Sequence, residues 1–249
     1  MSHRKKGFNR KRAGLAPSRT CPILFFLALF PLLWVGVVFA EAPKAPIHVT
    51  FATDQLGLFP AGWASWDSNP GRVYMVQNEG EKKFLHADAR DASVQIGLER
   101  KWPLKEWPVL RWQWRTVIFP DQSDERKKGG GDSVLGLYVV FGHWPFIKAI
   151  KYIWSDTRPV GESFDSPFSS RTKIVVVRSG RAQAGTWVTE ERDVMADYRR
   201  LFGDRNEAPH ARGIAILTDS DNTHSHAVGD YGEIETPQTA RERGVGPGP

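Results

Sequence analysis

The sequence predicts an all-β protein, a jelly-roll-like β-sandwich with one short helix. Short runs rich in Val, Ile, Tyr, Phe and Trp recur between Gly, Pro, Asp and Asn turns, the pattern of strands on a half-buried pleated surface. One stretch carries helical punctuation: Asp193 as cap, Val194–Phe202 as body and Gly203 as stop. Many short strands with regular turn signals and so little helix argue two packed sheets.

In chain order the expected strands are Ile47–Ala52, Arg72–Gln77, Phe84–Ala87, Ser93–Leu98, Val109–Ile118, Val134–Gly142, Ala149–Ser155, Lys173–Arg178, Trp187–Glu191, Gly213–Thr218 and Tyr231–Glu235. The final segment, Gly229-Asp230-Tyr231-Gly232-Glu233-Ile234-Glu235, looks like the closing strand of jelly-roll carbohydrate-binding modules. Such a strand pairs near the first one, here Ile47–Ala52.

Residues 1–40 read as a secretory signal. Arg4, Lys5, Lys6, Arg10, Lys11, Arg12 and Arg19 precede an uncharged run, Pro22 to Phe39, and Val38-Phe39-Ala40 offers a cleavage site. The run is close to the ~20 residues that span a bilayer, so a retained anchor is the competing reading. Removing those seven basic residues leaves 27 Lys and Arg against 28 Asp and Glu, a net −1 in place of +6. The basic balance therefore belongs to the leader and gives no reason to expect nucleic acid as a partner. Cys21 is the chain's one cysteine, so residues 41–236 form a single sandwich domain without disulfide or thiolate chemistry. This is compatible with a periplasmic or secreted protein with no stable membrane span after cleavage. Residues 237–249 are rich in Pro, Gly and Arg and are expected to be a disordered tail.

Four segments carry the candidate chemistry. In Leu110-Arg111-Trp112-Gln113-Trp114-Arg115, strand alternation sets the tryptophans on one face and Arg111, Gln113 and Arg115 on the other. The tryptophans are expected in the core. The arginines need acidic partners or a ligand, and guanidinium and amide groups suit sugar hydroxyls. Gly131-Asp132 follows two further glycines. The plainer reading is a hairpin loop in which Asp132 caps its own turn. Lys151-Tyr152-Ile153-Trp154-Ser155 adds Trp154 to the candidate ligand-binding residues. Thr218-Asp219-Ser220-Asp221-Asn222-Thr223 offers hard oxygen ligands in Asp219, Asp221 and Asn222, so Ca²⁺ is the ion it would take. The EF-hand spacing is absent, and the plainer reading is a turn whose own Asp oxygens fix its backbone. No other cofactor is expected. His224 and His226 are spaced for a strand-borne zinc pair, which nothing else in the sequence requires.

In this order the segments resemble a family of secreted bacterial proteins defined as a domain of unknown function. There a Trp-Arg-Trp-Arg-like strand precedes a Gly-Asp-Asp turn, a Lys-Tyr-x-Trp-Ser strand and an Asp-x-Asp-Asn-Thr turn. Here Ser133 stands where the second Asp of the first turn would be. The resemblance spans nearly the whole mature chain and implies no activity.

Nucleophile-elbow, zinc-protease and dinucleotide signatures are missing from the sequence. The leading expectation is a non-catalytic binder of a glycan or envelope component. One alternative is a glycan-acting hydrolase or lyase using carboxylates such as Asp132, Asp219, Asp221, Glu190, Glu191 or Asp193. The other is a structural envelope protein that binds a second protein.

Overall fold

A computed structural model describes residues 47–203 and 210–237. The expected leader, its cleavage site and all but the first residue of the expected tail lie outside them. Sheet I holds β11 (Val188–Asp193), β6 (Val109–Ile118), β13 (His226–Glu235), β4 (Lys82–Arg90) and β3 (Tyr74–Glu79) in that order, with β1 (His48–Val49) also on β13. Sheet II runs β2 (Ala64–Ser65), β5 (Ser93–Pro103), β12 (His210–Asp219), β7 (Leu135–Phe141), β8 (Lys148–Ser155), β10 (Ser169–Ser179) and β9 (Ser163–Ser166). The ladders are antiparallel except β8–β10, which is parallel. The short strand β9 lies between those two in the chain and pairs antiparallel with β10. No helix of the described residues is long and apolar enough to cross a membrane.

The sandwich follows from alternation. On β6, Leu110, Trp112, Trp114 and Thr116 are buried, while Arg111, Gln113 and Arg115 are half-buried on the outer face. On β8, Ile150, Tyr152 and Trp154 enter the same core. The two inner faces interlock through Trp112 on Tyr152, ring centroids 5.3 Å apart, and Trp114 near Trp154 at 6.5 Å. The closing strand does meet the first, with His48 opposite Glu235 and Val49 opposite Ile234.

Helix α1 (Val194–Phe202) starts where its cap was read: Asp193 Oδ1 accepts the Ala196 N–H at 2.8 Å. It stops at Gly203, which takes φ 69° and donates its N–H to Arg199 O. Strand β6 has the expected bounds, while the first expected strand shrinks to His48–Val49. Phe51 leaves the ladder yet stays buried, so burial and pairing part company there. The two-residue β2 and the polar β9 have no hydrophobic period to mark them, and both were missed.

Candidate functional site

The outer side of sheet II carries a buried lysine. Lys151 lies on β8 between Ala149 and Ile153 and is only 4% exposed. Its stem lies over Gly136 of β7, where an added Cβ would come within 2.7 Å of Lys151 Cε and 3.2 Å of Leu217 O. Glycine at 136 thus makes the space in which the lysine lies against the sheet. Its Nζ donates to Ser133 Oγ at 3.0 Å and sits 5.6 Å from the Tyr138 ring centroid. Burial opposes the ammonium, but Tyr138, Asp219 and Glu125 outweigh it and hold the Lys151 pKa above the ordinary lysine value. The group is therefore a fixed cation.

Asp219, the last residue of β12, is locked to Ser133. Its N–H donates to Ser133 O at 3.1 Å, and its Oδ1 accepts the Ser133 N–H at 3.0 Å. Burial lifts the Asp219 pKa well above the ordinary carboxylate value; Lys151 opposes this, but the neighbouring Asp132 adds to the rise. Asp132 moves the other way. Burial would raise it, yet hydrogen bonds from Asp219, Thr223 and Asn222 outweigh that and hold it low. The two neighbouring carboxyls are thus pushed apart, Asp219 upward and Asp132 downward, so Asp219 holds a proton more tightly than Asp132 does. Glu125, which accepts from Ser155 Oγ at 3.0 Å, is raised chiefly by its own burial.

These groups meet at a pocket of about 230 Å³ lined by Ser93, Glu125, Tyr138, Lys151, Phe168, Leu217, Asp219, Asp221 and Asn222, among others. Phe168 is 58% exposed and stands at its edge. The close approach of Phe168 needs Gly131, whose added Cβ would lie 2.8 Å from Phe168 Cε2.

Of the sequence candidates, Asp132, Asp219, Asp221 and Asn222 come together here. Two readings are corrected. Asp132 does not cap its own turn. It caps the distant loop, accepting from Asn222 N at 3.1 Å, Asn222 Nδ2 at 3.0 Å, Thr223 N at 2.8 Å and Thr223 Oγ1 at 2.5 Å. Conversely, Asp219 serves the Ser133 segment, and Asp221 Oδ1 accepts only the neighbouring Asn222 Nδ2 at 2.8 Å. The loop's backbone is therefore held from across the sheet, because Asp132 is the carboxylate within reach of its freed N–H groups.

Trp154, read as ligand-binding, is instead a core residue, 1% exposed, whose Nε1 donates to Gly180 O at 2.9 Å. Even positions of β8 face the sandwich interior, so its ring has no outward side. Arg111, Gln113 and Arg115 lie on the opposite outer face, that of sheet I. Arg111 binds Glu191 at 2.7 Å and Glu235 at 3.2 Å, and Gln113 Oε1 accepts Lys82 Nζ at 2.6 Å. Arg115 bonds Asp230 at 2.8 Å and Glu79 at 2.9 Å, with its guanidinium 4.8 Å from the Trp187 ring centroid. The expected acidic partners are present and occupy the donors a ligand would need. The zinc pair also dissolves: His224 bonds Asp91 at 2.9 Å and His226 bonds Asp88 at 2.8 Å.

The sequence reading missed Lys151, Glu125 and Tyr138 as site residues. Lys151 had a signal, being a cation in the middle of an apolar strand, where burial demands partners. Glu125 sits in a loop without pattern.

The family model DUF3047, described as a protein of unknown function, matches residues 61–235. The chain belongs to this family. The DUF3047 match runs from just before β2 to the last residue of β13, so it takes in the whole pocket. The comparison with curated proteins gave no match. Among solved structures, the family 11 xylanase from Neocallimastix patriciarum is similar over 78% of this chain and 100% of that chain, at 10% identity and a TM-score of 0.34. That score is too low to carry an activity across.

Proposed function

We propose that this DUF3047 protein is an extracytoplasmic β-sandwich that binds a glycan or other cell-envelope component through the Lys151 pocket without turning it over. One observation carries the reading: aromatic surface and fixed polar groups converge in one small cavity. Phe168 and Tyr138 bring aromatic rings, Lys151 a cation, and Asp221 and Asn222 side-chain oxygens to its lining. A pyranose presents the matching combination, an apolar face edged by hydroxyls. At about 230 Å³ the cavity falls below the roughly 300–1,000 Å³ of drug-sized sites, which suits a single ring. The network beneath is held by the Asp132 and Asp219 bonds, so little ordering remains for the ligand to impose.

A glycan array probed with residues 41–249, with and without Ca²⁺, tests the reading. Binding that disappears in Asp221→Ala is the expected result, and an array blank for wild type would overturn it. A second reading, a glycan-acting hydrolase or lyase, is favoured by Glu125 and Asp219. Both are buried acids with raised pKa lining the pocket, and Asp219 neighbours Asp132, whose pKa is lowered, a separation of carboxyl pKa values that acid catalysis exploits. Product release that Glu125→Gln abolishes while sparing binding would select it.

A further inference from the structure

The Lys151 pocket is not isolated on its sheet face. A second cavity of about 450 Å³ lies on the same side, lined by residues including Ala64, Trp66, Gln95, Gly97, Glu99 and Arg212. Strand register joins the two. Ala64 is opposite Gly97, Gly97 opposite Ala215, Ala215 opposite Tyr138, and Tyr138 opposite Lys151. Residues directly opposite across a ladder share a face, so this row is one line across sheet II. Its four strand-to-strand steps, at about 4.8 Å each, span roughly 19 Å.

We propose that this row is the floor of one continuous groove for a linear, uncharged glycan, with a terminal ring in the Lys151 pocket and the following rings running toward Trp66. The inference rests on the glycan reading above and extends it from one ring to a chain.

Three features define the occupant. First, the floor is kept low at Gly97 without a packing reason. A Cβ at Gly97 would meet nothing closer than Ile214 O at 3.7 Å and Ala215 Cβ at 3.8 Å, which is ordinary contact. Gly136 and Gly229, by contrast, have neighbours within 2.7 Å of an added Cβ. A side chain would fit at 97, and its effect would be to fill the groove. Second, Trp66 at the rim is 102% exposed. A full indole face in water beside an open groove marks a stacking surface. Third, along the strip beyond the Lys151 pocket the charges cancel. Arg212 and Glu99 pair across the strands at 3.4 Å, and Ser65 and Gln95 supply the remaining polar side chains. A polyanion such as nucleic acid finds no excess cation there, whereas a neutral sugar chain finds planar apolar surface edged by amide, hydroxyl and paired ionic groups.

The test is a ladder of linear β-1,4-linked glucose oligomers and one of N-acetylglucosamine oligomers, each from one to six rings, titrated calorimetrically into the full mature chain. The expected result is affinity that rises with length in one ladder. Trp66→Ala should then lower six-ring affinity on the order of tenfold, the worth of one aromatic contact, while leaving one- and two-ring binding unchanged. Gly97→Leu should do the same by obstruction, with its melting temperature certifying the fold; Trp66→Ala, on a fully exposed residue, is the safeguard if Gly97→Leu fails to fold. Length-independent affinity lost only in Asp221→Ala would overturn the groove while the single-ring pocket survives. No binding by wild type to either ladder or to the array would overturn both. Trp66→Ala that leaves all sugar titrations unchanged but abolishes self-association in sedimentation would assign the strip to a second copy of the chain and likewise overturn the proposal.

Discussion

Asp132 Oδ2 accepts two hydrogen bonds from a single residue, Thr223, through its N–H at 2.8 Å and its hydroxyl at 2.5 Å. Oδ1 of the same carboxylate takes the N–H and side-chain amide of Asn222. Two loops far apart in the chain are thereby fastened by one side chain. Asp132→Asn should cost about 1–3 kcal/mol, because an amide offers one acceptor oxygen and turns a donor toward N–H groups that are left unpaired. A drop in the urea midpoint of that size with an unchanged m-value is the expected readout; an unaltered midpoint would mean the loop is held otherwise.

The neighbouring substitution should behave oppositely. Asp219 holds its proton more tightly than Asp132, so Asn in its place can keep Oδ1 on the Ser133 N–H and direct Nδ2 at Asp132. Asp219→Asn should therefore fold normally. It should also alter the pH profile. A carboxyl whose folded pKa is raised contributes stability in full below its unfolded value, near 3.8, and loses it as pH climbs to the folded pKa. Wild type should thus lose stability across the window above about pH 4, while the variant lacks that loss and gains on it as pH rises. Parallel urea midpoints for the two proteins from pH 4 to 8 would rule out a raised Asp219 pKa.

Lys151→Met tests whether the lysine serves the fold or the ligand. Removing one member of a buried ion pair usually costs about 3–5 kcal/mol, because the partner's charge is stranded. Here burial raises both Asp219 and Glu125, so either carboxyl can take up a proton once the ammonium is gone. The expected cost is nearer 1–2 kcal/mol, a lost hydrogen bond to Ser133, together with loss of saccharide binding. Melting temperature and calorimetric titration separate the two effects, and unfolding with a loss above 4 kcal/mol would show that Lys151 faces an ionised Asp219.

Across the sandwich, Arg115→Lys should destabilise without touching that binding. The guanidinium reaches Asp230 and Glu79 at once and lies between Phe84 and Trp187, 5.4 and 4.8 Å from their ring centroids. A lysine ammonium cannot copy the fork. A stability loss of about 1–2 kcal/mol with intact ligand titrations is expected, whereas lost sugar binding at full stability would move the site to sheet I.

What the sequence revealed divides along local and non-local lines. Strand β6 was legible because Trp112 and Trp114 alternate with Arg111, Gln113 and Arg115, and α1 because Asp193 and Gly203 punctuate it. Both signals lie within a few residues. The site is different in kind. Asp132 meets Asn222 across 90 positions and Lys151 meets Ser133 across 18, and no spacing rule announces such meetings. The turn around Asp219 could be seen as polar, but which carboxylate served which loop depended on β12 lying beside β7. Trp154 failed for a related reason: its strand is apolar on both sides, so alternation did not say which side faced the core.

The remaining prediction concerns calcium. Carboxylate oxygens of Asp132, Asp219 and Asp221 lie within 4.8 Å of one another, close enough to share a cation. The hydrogen bonds argue against it. Both oxygens of Asp132 already accept two donors each, and Asp219 Oδ1 takes the Ser133 N–H. Lys151 also supplies positive charge beside the site a cation would occupy. Calcium prefers six to eight oxygens free to turn toward it, and here the loop would have to open to release them. Millimolar Ca²⁺ and EDTA should therefore leave the melting temperature unchanged within a degree, in wild type and in Asp221→Asn alike. A calcium-dependent rise in wild type that Asp221→Asn removes would show that the loop rearranges around a metal.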